Sequence, residues 1–377
     1  MFEDAAVFRR GAGETTEVVR KEMYEFEDKG GRNLALRPEG TASVVRAFVQ
    51  HRPQTPWKIW YATPAFRYER PQAGRYRQHH QLGVEAIGSE DPDLDVEVIA
   101  LGSDYLGALG LGRVELRVNT MGDDACMPGY RASLGAYLSD HASELCKEHS
   151  QSWSDDPLRI LDCKQPECEK AREDAPRLSQ ALCDPCRDHF ARVSYGLEAA
   201  GIAWTRDECL VRGFDYYTRT TFEFSSPALT AAENVILGGG RYDKLSLELG
   251  GPDVGGIGFG SGIERVLLAC DAEGVLTDVS DSPEVFVIDV VGGQVARDLT
   301  LELRRAGFAA ERAFDARSMK AQLRLADRSH ARLALIVGPD ELVARSVTVR
   351  VLRGDGKGDQ ESVERGALET AIRKWLG

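Results

Sequence analysis

The stretch Phe-Arg-Tyr-Glu-Arg-Pro-Gln-Ala-Gly-Arg-Tyr-Arg-Gln-His-His-Gln, at residues 66–81, decides how this chain folds. Apolar and aromatic residues that favour strands precede it at 57–61, and a second strand-like run follows at 81–87. The Pro and the Gly between these runs predict an antiparallel hairpin whose basic loop covers residues 70–75. If the loop is centred near Gly74, Arg67 lies opposite Gln81 and Glu69 lies opposite His79.

Alternate residues of a strand share a face, so one face of this hairpin is predicted to be polar. Arg67 and Glu69 share that face on the outgoing strand. The returning strand contributes His79, Gln81, Gly83 and Glu85. Burying such a face against protein costs free energy, which favours a small charged ligand as its occupant. The alternative is a basic hairpin on an exposed surface.

Composition and charge limit the kind of protein this is. With 377 residues, 42% hydrophobic and 28% charged, the chain is expected to form a globular protein of two or more domains. The net charge of −13 argues against general nucleic-acid binding. However, residues 284–377 hold 16 basic and 14 acidic residues, against 31 and 46 in the rest. This distribution is compatible with RNA binding through local basic patches.

Several features predict a cytoplasmic protein. No run of about 18 apolar residues occurs, so no membrane span is expected. The acidic start at residues 1–4 does not resemble a signal peptide. Eight cysteines without a secretion signal indicate a reducing compartment, where cysteines bind metals or remain free thiols.

The chain changes character several times along its length. Residues 1–123 mix short helical and strand patterns, whereas the helix-like stretch at about 124–200 holds six of the eight cysteines and is interpreted as an insertion. Strand-like, glycine-rich sequence resumes at 209–270 and ends in a polar linker. Strands then alternate with helices over 284–377, which predicts a small α/β domain whose closing helix covers 362–376.

Four more segments carry candidate site residues. The segment 36–41 presents Glu39 and Thr41 at a helix start, although simple helix capping explains the same pattern. The segment 210–223 contains an arginine beside two tyrosines, and a buried aromatic strand is its alternative interpretation. The segments 237–245 and 255–268 are glycine-rich. The last of these lacks the Gly-x-Gly-x-x-Gly spacing that a dinucleotide-binding loop requires.

Together these segments resemble the class II aminoacyl-tRNA synthetases, and in particular the histidyl-tRNA synthetases. Residues 66–78 resemble motif 2, residues 210–223 resemble the histidyl signature peptide, and residues 255–268 resemble motif 3. The resemblance implies an α+β catalytic domain over 1–283, built on an antiparallel sheet flanked by helices and carrying the insertion. It implies an α/β anticodon-binding domain over 284–377.

The resemblance also implies an activity. A cytoplasmic homodimer with Mg²⁺ and ATP is expected to activate L-histidine to histidyl-adenylate and transfer it to the 3′ end of tRNA(His). Family members carry a helix and most of motif 1, which builds the dimer interface, before the equivalent of Phe2. This sequence opens where motif 1 ends.

Residue roles follow from the same resemblance. The residues with expected catalytic roles are Arg67, Arg212 and Arg265. The residues expected to bind histidine are Glu39, Thr41, Arg67, Gln81, Glu85, Arg212, Tyr216, Tyr217 and Tyr242. The residues expected to bind ATP are Arg67, Glu69, Arg75, His79 and Arg265. Those expected to contact tRNA are Arg70 and Gln72. Because the family usually has Phe where His79 stands, altered packing against adenine is expected.

The cysteines suggest a metal site. Cys163-x4-Cys168 and Cys183-x2-Cys186, separated by fourteen residues, suit one tetrahedral structural Zn²⁺. His189 is the nearest histidine and a candidate substitute ligand. Free thiols are the alternative.

Two other functions compete with the enzyme. One is the non-catalytic paralogue that serves as a regulatory subunit of ATP phosphoribosyltransferase. It is expected to lack Arg212, Arg265 or the C-terminal domain, and this sequence has all three. The other is a pseudo-synthetase module within a larger signalling protein.

Overall fold

The computed structural model describes residues 1–14, 16–154, 156–163, 165–211, 213–230, 234–276, 282–315 and 317–377. The chain forms two compact units, Met1–Leu276 and Thr277–Gly377. Nowhere in the described ranges is a helix both long and apolar enough to cross a membrane.

The first unit contains ten strands and nine α-helices within the described residues. Its strands are β1 (Phe2–Asp4), β2 (Tyr24–Glu27), β3 (Asn33–Leu36), β4 (Trp57–Phe66), β5 (Gln78–Ile87), β6 (Glu115–Thr120), β7 (Thr205–Arg206), β8 (Thr218–Ser225), β9 (Val235–Arg241) and β10 (Gly256–Gly262). Its helices are α1 (Ala5–Ala12), α2 (Thr41–His51), α3 (Pro92–Ala108), α4 (Met127–Asp140), α5 (His149–Ser152), α6 (Glu169–Asp174), α7 (Asp184–Ala199), α8 (Leu245–Glu248) and α9 (Ile263–Glu273).

A seven-stranded sheet organises this unit. Its strand order is β4-β5-β10-β9-β8-β6-β7, and every neighbouring pair is antiparallel except β6 and β7. Ile99 of α3, Val193 of α7 and Val266 of α9 are buried with apolar side chains of the strands in one core. The predicted antiparallel sheet flanked by helices is therefore confirmed.

The hairpin forms, but with a different register from the predicted one. The ladder pairs Phe66 with Gln78 and Thr63 with Gln81, so Arg67 does not lie opposite Gln81. The two arms of the connecting loop have unequal lengths, because a tight turn joins Gln72 to Arg75 near the returning strand. The longer outgoing arm leaves the ladder, and the N–H of Tyr68 donates to the carbonyl of residue 22 at 2.7 Å.

The segment between β6 and β7 divides between two cores. Tyr130, Leu134 and Leu138 of α4 pack with Ile160 and with most of the cysteines in a small core of their own. Helix α7 instead packs on α3, and its Val193 belongs to the core of the large sheet.

The second unit is built on a mixed five-stranded sheet. Its strands are β11 (Val285–Asp289), β12 (Ala310–Arg312), β13 (Leu333–Val337), β14 (Ser346–Val351) and β15 (Gln360–Glu364). Its helices are α10 (Gln294–Arg305), α11 (Met319–Arg328), α12 (Pro339–Ala344) and α13 (Leu368–Leu376). The strand order is β12-β11-β13-β14-β15, in which β11 pairs in parallel with β12 and β13. This confirms the predicted α/β domain.

The closing helix of the second unit is shorter than predicted. Residues 360–364 form the antiparallel edge strand β15 against β14, so the helix begins only at Leu368. Val363 of this strand is buried while its neighbours are exposed, so the single apolar residue anchors the strand to the sheet.

Candidate functional site

A cavity of about 840 Å³ opens on the first unit. The predicted site residues that line it come from four separate segments of the chain. They are Glu39, Thr41, Arg67, Glu69, Arg75, His79, Gln81, Tyr216, Tyr217 and Arg265. Among the described residues, Glu85 and Tyr242 lie behind the lining, and Arg70 and Gln72 lie outside it. Arg212 is outside the residues that the structure describes.

One side of the cavity, which we call the carboxyl wall, consists of Glu39, Thr41, Tyr61, Glu85 and Tyr242. The buried carboxyl group of Glu85 is its centre. The hydroxyl groups of Thr41, Tyr61 and Tyr242 lie 2.7, 3.1 and 2.6 Å from its oxygens. Thr41 begins α2, Tyr61 lies in β4, Glu85 lies in β5 and Tyr242 follows β9, so the fold gathers one polar cluster from distant segments.

Burial changes the protonation of this wall. It raises the pKa of Glu85 from 4.5 to about 8, against the opposing effect of the hydrogen bond from Tyr242. At neutral pH the carboxyl group is therefore mostly protonated, and it donates one hydrogen bond while accepting others. Burial also holds the pKa values of Tyr61 and Tyr242 well above 10, so both phenols remain neutral.

Glycine makes room for these large polar side chains. A Cβ atom added to Gly83 of β5 would collide with the ring of Tyr61, and one added to Gly258 of β10 would collide with Oε2 of Glu85. Any side chain at either position therefore displaces a member of the carboxyl wall. The glycines of these strands consequently serve the site as well as the sheet.

Glu39 both caps a helix and lines the cavity. Its carboxylate accepts from the N–H groups of Thr41 at 2.6 Å and Ala42 at 2.9 Å, so it caps helix α2. The same side chain lines the cavity and is only 3% exposed. Burial raises its pKa above the ordinary value.

A second group of lining residues, which we call the guanidinium wall, consists of Arg67, Arg75 and Arg265. Nε of Arg67 donates to the carbonyl of Pro38 at 2.9 Å. Arg265, at the start of α9, donates from Nε to the carbonyl of Gly74 at 2.9 Å and from Nη1 to that of Val235 at 3.0 Å. These carbonyl groups orient the guanidinium groups of Arg67 and Arg265, and Nη1 of Arg75 lies 3.8 Å from Oε2 of Glu69. Such an arrangement suits a phosphate or carboxylate ligand.

His79 lies beside the guanidinium wall as a neutral ring. Burial, followed by the charge of Arg67, lowers its pKa from 6.5 to about 4. The neighbouring His80 points elsewhere, with Nδ1 2.8 Å from a carboxylate oxygen of Glu264. A neutral imidazole next to cations can stack on an aromatic ligand without adding charge repulsion.

The tip of the hairpin loop has a different environment. The backbone groups of Gln72 and Arg75 exchange hydrogen bonds at 3.1 and 3.0 Å, and Gly74 has φ 68°, which closes the turn. Gly74, Arg75 and Tyr76 line the cavity, whereas Arg70 and Gln72 are exposed to solvent. The loop therefore presents one edge to the cavity and the other to the outside.

The predicted four-cysteine site is wrong in its arrangement. Cys163 and Cys168 lie with Cys146 and His149, whereas Cys183 and Cys186 lie with Asp123 and Cys126. Two segments that precede Cys163 in the chain supply the other members. The segment with Cys146 and His149 joins the first cysteine pair, and the segment with Asp123 and Cys126 joins the second. The spacings Cys146-x2-His149 and Asp123-x2-Cys126 were the sequence signal for the missed members. His189, the expected substitute, instead has Nε2 3.4 Å from Oδ2 of Asp95.

Other residues of the cavity were not predicted. Tyr61 belongs to β4, and Leu161, Asp162, Arg172 and Glu173 come from the segment between β6 and β7. Their part in the site depends on how that segment folds back towards the sheet. Local sequence patterns carry no signal for such a contact.

The chain is similar to known proteins over most of its length. The family model described as histidyl-tRNA synthetase matches residues 2–266, and that described as anticodon binding domain matches residues 284–375. A histidine–tRNA ligase of Halothermothrix orenii is 48% identical over 94% of this chain and 85% of its own length. That of Moorella thermoacetica is 47% identical over 99% and 89%.

A solved structure is also similar. The apo histidyl-tRNA synthetase of S. aureus superposes with a TM-score of 0.77 at 34% identity. The match covers 99% of this chain and 89% of that one.

Proposed function

The chain belongs to the histidyl-tRNA synthetase family, and we propose that it joins L-histidine to tRNA(His) in two steps driven by ATP. In the first step, a carboxylate oxygen of histidine bonds to the α-phosphorus of ATP and pyrophosphate leaves. In the second, a terminal ribose hydroxyl of the tRNA attacks the carbonyl carbon of the adenylate and AMP leaves.

The observation that carries this proposal is the pairing of two unlike walls around one cavity. A guanidinium group near the reacting phosphorus stabilises charge that develops in the transition state. Arg67 has the position for this role, because it lines the cavity while its Nε is fixed on Pro38. Arg212, whose residue type suits the same task, is assigned only by its place in the signature peptide. Mg²⁺ enters as the counterion of the ATP phosphates.

The guanidinium wall and its neighbours are assigned to ATP. Arg75 and Arg265 are proposed to hold the polyphosphate, since both line the cavity beside the loop turn. Glu69 is proposed to accept a hydrogen bond from the adenine amino group, and His79 to stack on the ring. The neutral state of His79 at pH 7 supports the stacking role.

The carboxyl wall is assigned to histidine. Glu39 is proposed to bind the ammonium group, with Thr41 and Gln81 beside it in the lining. Tyr216 and Tyr217 are proposed to contact the imidazole. Glu85 and Tyr242 act through the hydroxyl cluster rather than by direct contact, because both lie behind the cavity surface.

The remaining assignments concern tRNA and assembly. Residues 1–283, with the insertion at about 124–200, are proposed as the catalytic domain and residues 284–377 as the anticodon-binding domain. Arg70 and Gln72 are proposed to contact the acceptor end of the tRNA. A homodimer in the cytoplasm completes the proposal, and sedimentation of the purified chain tests the dimer.

Histidine-dependent exchange of pyrophosphate into ATP tests the function. We expect exchange with histidine and none above background with the other nineteen amino acids, because the cavity presents one fixed polar cluster. Aminoacylation of tRNA(His) is then expected under the same conditions. Binding of histidine without any exchange would contradict the enzyme and favour the regulatory paralogue.

A further inference from the structure

Among its described residues, the insertion holds two groups of side chains that could ligate a metal and that have no part in the proposed catalysis. In each group the four ligand atoms lie within 4.8 Å of one another. We call Cys146, His149, Cys163 and Cys168 the inner group. We call Asp123, Cys126, Cys183 and Cys186 the neck group, since it joins the start and the end of the small insertion core.

The inner group has the dimensions of a tetrahedral zinc site. Nδ1 of His149 lies 3.2 Å from Sγ of Cys146 and 3.9 Å from Sγ of Cys168. With Zn–S near 2.3 Å and Zn–N near 2.0 Å, ideal tetrahedral angles put sulfur and nitrogen about 3.5 Å apart. Cys163 and Cys168 are buried and complete a Cys₃His set, which is a common structural zinc set.

The neck group has the same form with a carboxylate in place of the imidazole. Oδ1 of Asp123 lies 3.4 Å from Sγ of Cys126 and 3.7 Å from Sγ of Cys183. Cys186 is fully buried. For Zn–O near 2.1 Å, tetrahedral geometry again predicts about 3.6 Å between oxygen and sulfur.

Backbone donors also point at sulfur in both groups. The N–H of Cys146 donates to Sγ of Cys168 at 3.2 Å. The N–H of Cys183 donates to Sγ of Cys126 at 3.1 Å. Sulfur accepts hydrogen bonds better as a thiolate than as a thiol, and such donors orient the thiolate ligands of a metal. The repetition of this contact in two independent groups favours metal ligation over free thiols.

The insertion has a structural use for such ions. Apart from α4 and the first turn of α7, its core is formed by short helical turns, among them α5, α6 and the 3₁₀ turns at Pro157–Asp162 and Pro166–Cys168. A core this small gains little from apolar burial and is often supported by metal ions. The neck group closes the chain between Cys126 and Cys183, and the inner group closes a loop inside it.

We propose that the insertion binds two Zn²⁺ ions, one in the inner group and one in the neck group. The inner ion fixes a segment that reaches the cavity. Leu161 and Asp162, next to Cys163, line the cavity, and Nη1 of the lining residue Arg172 donates to the carbonyl of Cys163 at 2.7 Å. The neck ion is held by one oxygen ligand, and both Asp123 and Cys183 are half-buried. It is therefore released first by a chelator.

Elemental analysis of the full chain, purified without chelator from zinc-supplemented cells, tests the proposal. We expect two zinc per chain, and one in each of the variants Cys168→Ser and Cys186→Ser. The matched control is Cys270→Ala, because Cys270 is equally buried but belongs to the core of the large sheet. It is expected to keep two zinc. Zinc below half an equivalent in the parent protein overturns both sites.

A second measurement replaces zinc by Co²⁺ in the unmutated protein, so its result does not depend on whether a variant folds. Two tetrahedral sites with thiolate ligands are expected to give intense visible bands and sulfur-to-cobalt charge transfer that saturate at two equivalents. Saturation at one equivalent, or disulfides between these cysteines in non-reduced peptide maps, overturns the two-ion proposal. Metal counts do not depend on catalysis, so they fail or succeed separately from the proposed aminoacylation.

Discussion

The two walls of the cavity solve opposite electrostatic problems. The carboxyl wall buries acidic groups, and Glu85 avoids a buried charge by retaining its proton up to a pKa of about 8. The guanidinium wall cannot do the same, because arginine does not lose its proton in proteins. Backbone carbonyl groups instead orient its Arg67 and Arg265 side chains.

This difference suggests a division of labour. The cluster of hydroxyl groups around the protonated Glu85 discriminates by hydrogen-bond geometry, which sets the affinity for a small ligand. Fixed cations act most strongly where negative charge develops, which sets the rate of the chemical step. Changes in the guanidinium wall are thus expected to lower kcat, whereas changes in the carboxyl wall are expected to raise KM for histidine.

The largest effect is expected for Arg67→Ala. Loss of one fixed donor from developing charge typically costs about 10²–10³ in kcat. We expect a fall of this order in histidine-dependent pyrophosphate exchange, with a much smaller change in KM for histidine. Steady-state exchange kinetics measure both quantities.

Arg77→Ala is the matched control for this change. Arg77 lies in the same loop but packs over the ring of Tyr68, with Cζ 4.1 Å from the ring centroid. Among the described residues it does not line the cavity. The Arg77→Ala enzyme should keep a kcat within about three-fold of the parent value, since no transition-state contact is removed. An Arg67→Ala enzyme that retains more than a tenth of the parent kcat would contradict the assignment of the chemical step to the guanidinium wall.

A smaller effect is expected for Glu85→Ala. This change leaves the buried hydroxyl groups of Thr41, Tyr61 and Tyr242 without their shared partner, at a cost of about 1–3 kcal/mol. KM for histidine should rise roughly ten- to hundred-fold, while kcat changes less. Glu85→Gln preserves the shape and the hydrogen bonds, so it is the folded control and should show a weaker effect. Equal losses of kcat in both variants would place Glu85 in the chemical step instead.

The raised pKa of Glu85 also makes stability depend on pH. The unfolded chain releases this proton near pH 4.5, whereas the folded protein retains it up to about pH 8. The stabilising contribution is therefore fully present below pH 4.5 and is lost as pH rises through 8, by about 1 kcal/mol per pH unit within that window. Denaturant unfolding of the parent and of Glu85→Gln between pH 5.5 and 8.5 measures the difference. Parallel curves would mean that Glu85 is ionised in the folded protein.

Sequence reasoning predicted the parts of the site that are local. The polar face of the hairpin, the helix start at Thr41 and the glycine strand leading to Arg265 each depend on short-range patterns. It did not predict the register of the hairpin, because the turn at Gln72 and Arg75 leaves arms of unequal length: the N–H of Arg67 donates to the carbonyl of Arg77, whereas that of Tyr68 donates to residue 22. It also joined the wrong cysteines, since Cys126 and Cys146 come close to their partners only through the fold of the insertion.

The smallest effect is expected at the exposed edge of the loop, outside both walls. The side chain of Gln72 faces solvent, and only its backbone closes the turn with Arg75, so truncation leaves the turn intact. An amide can both donate to and accept from a base edge, whereas Arg70 suits a phosphate. Gln72→Ala should therefore spare pyrophosphate exchange, lower aminoacylation several-fold and reduce discrimination of the acceptor end. Arg70→Ala should weaken tRNA binding uniformly and flatten its salt dependence. If both variants lose exchange and aminoacylation to the same extent, the outer edge of the loop serves ATP, and the cavity has no separate tRNA side.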